Sequence, residues 1–162
     1  MIGKFECLGD ALLILTRQSC VHQAREAAQV ANIARGGYVL IDGGGTPEAI
    51  VIATGSEVGI AAEAVRAMNG KGRKVRLVSM PSTNTFDAQD AAYKETVLPA
   101  AVTRRVAVEA GVRAAWWQYV GLKGEIVGID HFGASAPAKE LFPRFGFTPD
   151  KVVEAIGKVL VN

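Results

Sequence analysis

The sequence predicts an α/β fold: a three-layer α/β/α sandwich on a mostly parallel five-stranded sheet with one antiparallel edge strand. Three observations lead there. The stretch from Ala49 to Ser82 reads as a complete strand, helix, strand unit, and further apolar runs then alternate with helical segments to the C-terminus. Before it, two short strands are linked by five turn-type residues, which favours an antiparallel pair and hence one reversed edge strand.

Leu12 to Leu15 reads as a short apolar strand, and 18–35 as a loop or loose helix, alanine-rich and without a clear apolar face. Gly36 and Gly37 introduce the strand GYVLID, and Gly43, Gly44, Gly45, Thr46 and Pro47 make a tight connection into Ala49. Ala49 to Thr54 is an apolar run suited to a strand buried on both faces. Ser56 offers an N-cap hydroxyl, and Glu57 in the first turn complements the helix dipole. Ile60, Ala61, Ala64, Val65 and Met68 form one apolar face, the NGKG segment stops the helix, and Lys74 to Met80 alternates into a strand ended by Pro81. A crossover helix of this kind makes its two strands parallel with a right-handed connection. Asp87 is a candidate N-cap for a helical turn or two that stop at Pro99. Arg105 to Glu109 is a third core strand, Gly111 to Val120 is helical, and Glu125 to Ile129 is a fourth core strand. Pro137 to Phe145 is a short helix, and Thr148 to Val161 a terminal helix with Thr148 as N-cap and Pro149 at its first position.

The totals restrict the function classes. At 162 residues the chain has room for one domain with a substantial core. With 18 basic and 16 acidic residues the net charge is only +2, and apart from Lys71 to Arg76 and the pair Arg104, Arg105 the basic residues are scattered. No nucleic-acid footprint results, and the Lys71 to Arg76 cluster reads as a solvated turn. Cys7 and Cys20 cannot build a disulfide framework, which points to a reducing cytoplasmic setting. No apolar run approaches the roughly 18 residues of a membrane span, and Glu6 and Asp10 interrupt what would be the apolar core of a signal peptide.

Candidate sites are few. The Gly43 to Gly45 run precedes a strand instead of a helix, and the TGSEV turn lacks both nucleotide-binding glycine spacings, so both read as structural turns. His22 and His131 stand alone without metal-ligand spacing, and no metal site is expected. His131 and Glu109 both end predicted parallel strands, where ligand crevices open in such sheets, and with Gly55 and Ser56 they outline a candidate crevice. Glu109 is placed either to cap the following helix or to pair with an arginine such as Arg113. Asp130 and His131 are adjacent, so their side chains diverge and make no base and orienter pair. Trp116 and Trp117 point about 100 degrees apart on a helix, which splits them between core and interface.

The phrases IATGSEV, VRLVSMPS, VLPAAVTRRVAVEAG and GIDHFGASAPAKELFPRFGFTPDKVV, in that order, resemble the C-terminal end of transketolases over nearly the whole chain, Leu12 to Leu160. That resemblance implies a division into 1–35, the end of the pyrimidine-binding domain, and 36–162, the transketolase C-terminal domain. It implies that Arg17, in LTRQ, matches the family arginine that holds a sugar phosphate, a task suited to a guanidinium. Transketolases move a two-carbon ketol unit between sugar phosphates with thiamine diphosphate and a divalent metal. The GDG metal motif, the activating glutamate and the catalytic histidines of the family have no counterpart here. No catalytic residue is therefore assigned, and no cofactor is expected in this chain alone. The opening MIGKFECLGD departs from the family pattern, so a cloned, cryptic or newly initiated fragment is expected, with Leu12 to Leu15 an unpaired strand favouring self-association. Three readings follow: an inert domain serving assembly of a dimer, one subunit of a split transketolase joining the cofactor-binding domains, or an independent ligand binder or enzyme using the crevice.

Overall fold

The computed structural model of the chain describes residues 15, 16 and 18–161. Of the strand expected over Leu12 to Leu15 only Leu15 lies among them, outside any strand and largely exposed, and Arg17 lies outside the described residues.

Five strands form one sheet: β1 (Tyr38–Ile41), β2 (Ala49–Ala53), β3 (Val75–Ser79), β4 (Arg105–Val108) and β5 (Glu125–Val127). Their order is β1-β3-β2-β4-β5, with β1 antiparallel to β3 and every other pair parallel. The mixed sheet with one reversed edge strand is thus present, but β1 pairs with β3 and not with β2. The glycine connection explains this. A Cβ on Gly43 would stand 2.8 Å from the backbone nitrogen of Val75, and Glu48 N–H donates to the Lys74 carbonyl at 2.7 Å. The chain therefore passes beneath the start of β3 and enters β2 on its far side, a close approach that glycine permits.

All five residues of β2 are buried, because each face of the sheet carries its own core. Ala49, Val51 and Ala53 pack under α2 (Glu57–Gly70) and α7 (Pro149–Val161). Ile50 and Ile52 pack on the other side among Phe86 of α3 (Thr83–Asp87), Tyr93 and Val97 of α4 (Ala91–Val97), and Tyr119 of α5 (Trp117–Val120). Trp116 ends a 3-10 turn in that second core while Trp117 is half exposed.

The short helices are set by their caps. Ser82 Oγ accepts from Thr85 N–H and opens α3, and Asp90 Oδ1 accepts from Tyr93 N–H and opens α4. Asp87, expected as an N-cap, is instead the last residue of α3, and its carboxylate accepts the Tyr119 hydroxyl at 2.9 Å. Thr148 Oγ1 accepts from Lys151 N–H at the start of α7, as its spacing predicts. Residues 18–26 are neither helix nor strand and lead into α1 (Ala27–Asn32) and a 3-10 turn, Ile33–Arg35. The remaining helix, α6 (Ala138–Arg144), precedes α7.

Candidate functional site

β2 and β4 are neighbours, with Ala53 level with Val108, yet β2 feeds α2 on one face of the sheet and β4 feeds α5 on the other. Diverging connections open a crevice beyond the carboxyl ends of such strands. The residues there are Thr54 to Glu57 after β2 and Glu109 after β4.

Gly55 turns the chain with φ +57°, a conformation that favours glycine. Ser56 follows with helical backbone angles and makes no cap hydrogen bond, contrary to the capping role its position suggests. A helical φ and ψ carry its side chain away from the first-turn amides, and its hydroxyl donates to Glu57 Oε1 at 3.0 Å. Glu57 is only 5% exposed. Burial pushes its carboxyl above the usual glutamate range, its own backbone N–H and the Ser56 hydroxyl pull the other way, and the like charge of Glu109 raises it further. Glu109 takes a hydrogen bond from Trp116 Nε1. Arg113, the expected partner of Glu109, is committed elsewhere: its backbone N–H and Nε reach Asp130 at 3.0 and 2.7 Å. Those two bonds, the backbone one first, hold the Asp130 carboxyl below the ordinary range.

The four residues proposed for the crevice do not share one cavity. Gly55 and Ser56 border spaces of about 440 and 430 Å³ beneath residues 18–25, Ser56 both of them and Gly55 the second. Glu109 borders a separate space of about 370 Å³ with Thr54, Ser82, Asn84 and Trp116. His131 is exposed and borders none of these; its Nδ1 lies 2.8 Å from the Phe132 carbonyl and its ring 5.3 Å from that of Phe145. Glu57 is the residue that sequence reasoning undervalued. Its signal was present, since 57, 61, 64, 65 and 68 fall on one helical stripe and the other four are apolar and buried.

A family model, the transketolase-like TK C-terminal domain, matches residues 36–148. The chain belongs to the transketolase family. It is 58% identical to transketolase 1 of Escherichia coli K12 over 152 residues, which is 94% of this chain and 23% of that protein. Against transketolase 1 of Vibrio cholerae the identity is 56% over 148 residues, 91% of this chain and 22% of the other. The transketolase structure from Leishmania mexicana superposes with a TM-score of 0.75 at 38% identity, covering 82% of this chain and 19% of that one. An inactive β4 tetramer of a split-gene transketolase shares the fold, with a TM-score of 0.60 at 21% identity over 79% of this chain and 43% of its own. The chain thus spans under a quarter of the length of the curated relatives it matches.

Thiamine diphosphate with a divalent metal needs donors for the diphosphate and a cluster of metal ligands. The crevice offers the opposite charge, Glu57 and Glu109, with Arg113 already engaged by Asp130. Among the described residues no three of His, Cys, Asp and Glu come together around a common point. The residues described here do not fit that pair of groups. Among them, too, no helix is long and apolar enough to cross a membrane.

Proposed function

We propose that the chain is the C-terminal domain of a transketolase, residues 36–162, carrying at 1–35 the end of the preceding domain. The observation that carries this reading is coverage: the match takes in almost all of this chain and only 23% of the Escherichia coli relative. In a complete enzyme the remaining domains bind thiamine diphosphate and the metal, and a ketol unit passes between sugar phosphates. This chain catalyses nothing alone and serves assembly, in the cytoplasm. Val112, Trp117, Leu122 and Phe132 support the assembly role, since all four expose large apolar side chains in the segments that adjoin β4 and β5. Arg17 is its one substrate contact, to the phosphate of the sugar.

Calorimetry with thiamine diphosphate and magnesium tests this. The purified chain should show no binding heat, and light scattering at micromolar concentration should give a dimer or larger species. Saturable cofactor binding by the chain alone, or a monomer, sinks the corresponding half of the reading. The same coverage supports a second form, a subunit of a split transketolase, in which added cofactor-binding domains restore ketol transfer. Glu57 and Glu109, two carboxylates near the same strand ends with no basic partner among the described residues, favour a third, ligand binding in the crevice, which a thermal-shift screen of sugar phosphates and nucleotides detects.

A further inference from the structure

The segment from Gln18 to Arg25, neither helix nor strand, lies along α2 between Ser56 and Arg66, and its residues line the two cavities there. Its apolar side chain does not hold it there, because Val21 is 77% exposed. Polar groups do. Gln23 is 5% exposed, its Oε1 accepts from Arg66 of α2 at 2.9 Å, and its Nε2 donates to the Val21 carbonyl at 3.1 Å. Arg25 donates to the Tyr38 hydroxyl at 2.7 Å and to the Gln23 carbonyl at 2.7 Å. Gln18 reaches the Ser56 hydroxyl at the far end, at 3.4 Å.

We propose that residues 18–25 form a polar latch that opens and closes as one unit over the crevice at Gly55 and Ser56, with the Gln23–Arg66 hydrogen bond as its catch. A segment pinned by a few hydrogen bonds and no buried apolar side chain belongs to the low-stability end of a fold, where opening precedes global unfolding. Opening bares Ser56 and the outer face of α2. The latch is internal to the chain and holds whichever functional reading is correct. Loss of cofactor or assembly behaviour therefore leaves its test untouched.

The readout is trypsin cleavage after Arg25, whose guanidinium cannot enter a protease while it is bound to Tyr38. Cleavage that tracks a rapid opening equilibrium reports the open population. Gln23→Ala and Arg66→Ala should each speed cleavage at Arg25 on the order of ten-fold, the worth of one hydrogen bond to a charged group. Cleavage at Arg76 and Arg105, inside strands, should stay at the wild-type rate. The double variant should be cut no faster than Gln23→Ala alone, because Arg66→Ala removes only a bond that Gln23→Ala has already removed. The latch is overturned by wild-type protein cut at Arg25 as fast as the variants, by multiplying effects of the two substitutions, or by an equal gain from Val21→Asp. Where Gln23→Ala also loosens the core, Tyr38→Phe decides, since it deletes only one of the two acceptors of Arg25 and leaves the Gln23 carbonyl in place. Faster cutting at Arg25 alone supports the latch, and an unchanged rate overturns it.

Discussion

At the amino ends of β3 and β4 two arginines are surrounded by acceptors, whereas at the carboxyl ends of β2 and β4 two glutamates are short of donors. Arg76 gives hydrogen bonds to the Thr96 and Val97 carbonyls and to Asp42, though its Nε has no partner. Arg105 reaches four carbonyls, those of Leu98, Pro99, Val102 and Tyr119, at 2.8 to 3.1 Å. These carbonyls belong largely to the ends of α4 and α5, where a cation complements both the unpaired acceptors and the helix dipole. Glu57 has a neighbouring hydroxyl and its own amide, and Glu109 one indole. One end of the sheet is built to stay closed, and the other keeps charge that a ligand, a proton or a partner can still satisfy.

The largest effect that tests this contrast is expected at Arg105. Arg105→Met keeps the length of the side chain and removes the guanidinium from four carbonyls, of which that of Pro99 still accepts from Val102 N–H, and should cost about 3 kcal/mol in urea unfolding with an unchanged m-value. Arg105→Lys should fall between, because an ammonium cannot fork to four carbonyls. A cost below about 1 kcal/mol for Arg105→Met would show that water satisfies those carbonyls, and the contrast between the two ends would lose its basis. Next in size is Tyr119→Phe. Burial, followed by the hydrogen bond to Asp87, pushes the Tyr119 phenol far above its usual range, so its proton stays in place to hold the carboxylate. Its loss should cost about 1.5 kcal/mol in the same measurement, and an unchanged midpoint would show that the Asp87–Tyr119 bond adds nothing to the fold.

The apolar core was legible and the polar closed end was not: Arg76, which the sequence places in a solvated turn, is buried in β3. The apolar run at β2 and the stripe on α2 state their burial outright, and Thr148 with Pro149 marks the start of α7, whereas β3, which alternates in sequence, is buried along its whole length, Arg76 and Ser79 included. What the residues did not state is where long-range partners lie. β1 sits beside β3 because the glycine connection runs under β3, a path that turn residues alone do not encode. Arg113 chose Asp130 over Glu109, and Asp87 chose Tyr119 over a helix amide, in both cases through contacts between elements distant in sequence. Glu57 was read by its position in the first turn when its place on the apolar stripe decided its burial.

The smallest expected effect is also the most specific to the open end: a pH slope carried by Glu57. Its folded pKa is raised, so between the ordinary glutamate value and the raised one the native protein keeps a proton that the unfolded chain has already released. Stability from this group is therefore full below the ordinary value and is lost as pH rises through the folded value. Glu57→Gln keeps an oxygen for the Ser56 hydroxyl and removes the ionisation, so the variant should gain on wild type as pH climbs from 4 to 8, read as the difference in Tm. Glu109→Gln separates the two causes. Burial is the larger, so this variant should keep most of the slope and shift it only modestly to lower pH. If Glu109→Gln abolished the slope, repulsion between the two carboxylates would dominate, and the crevice would then read as a site awaiting a cation instead of a merely buried acid.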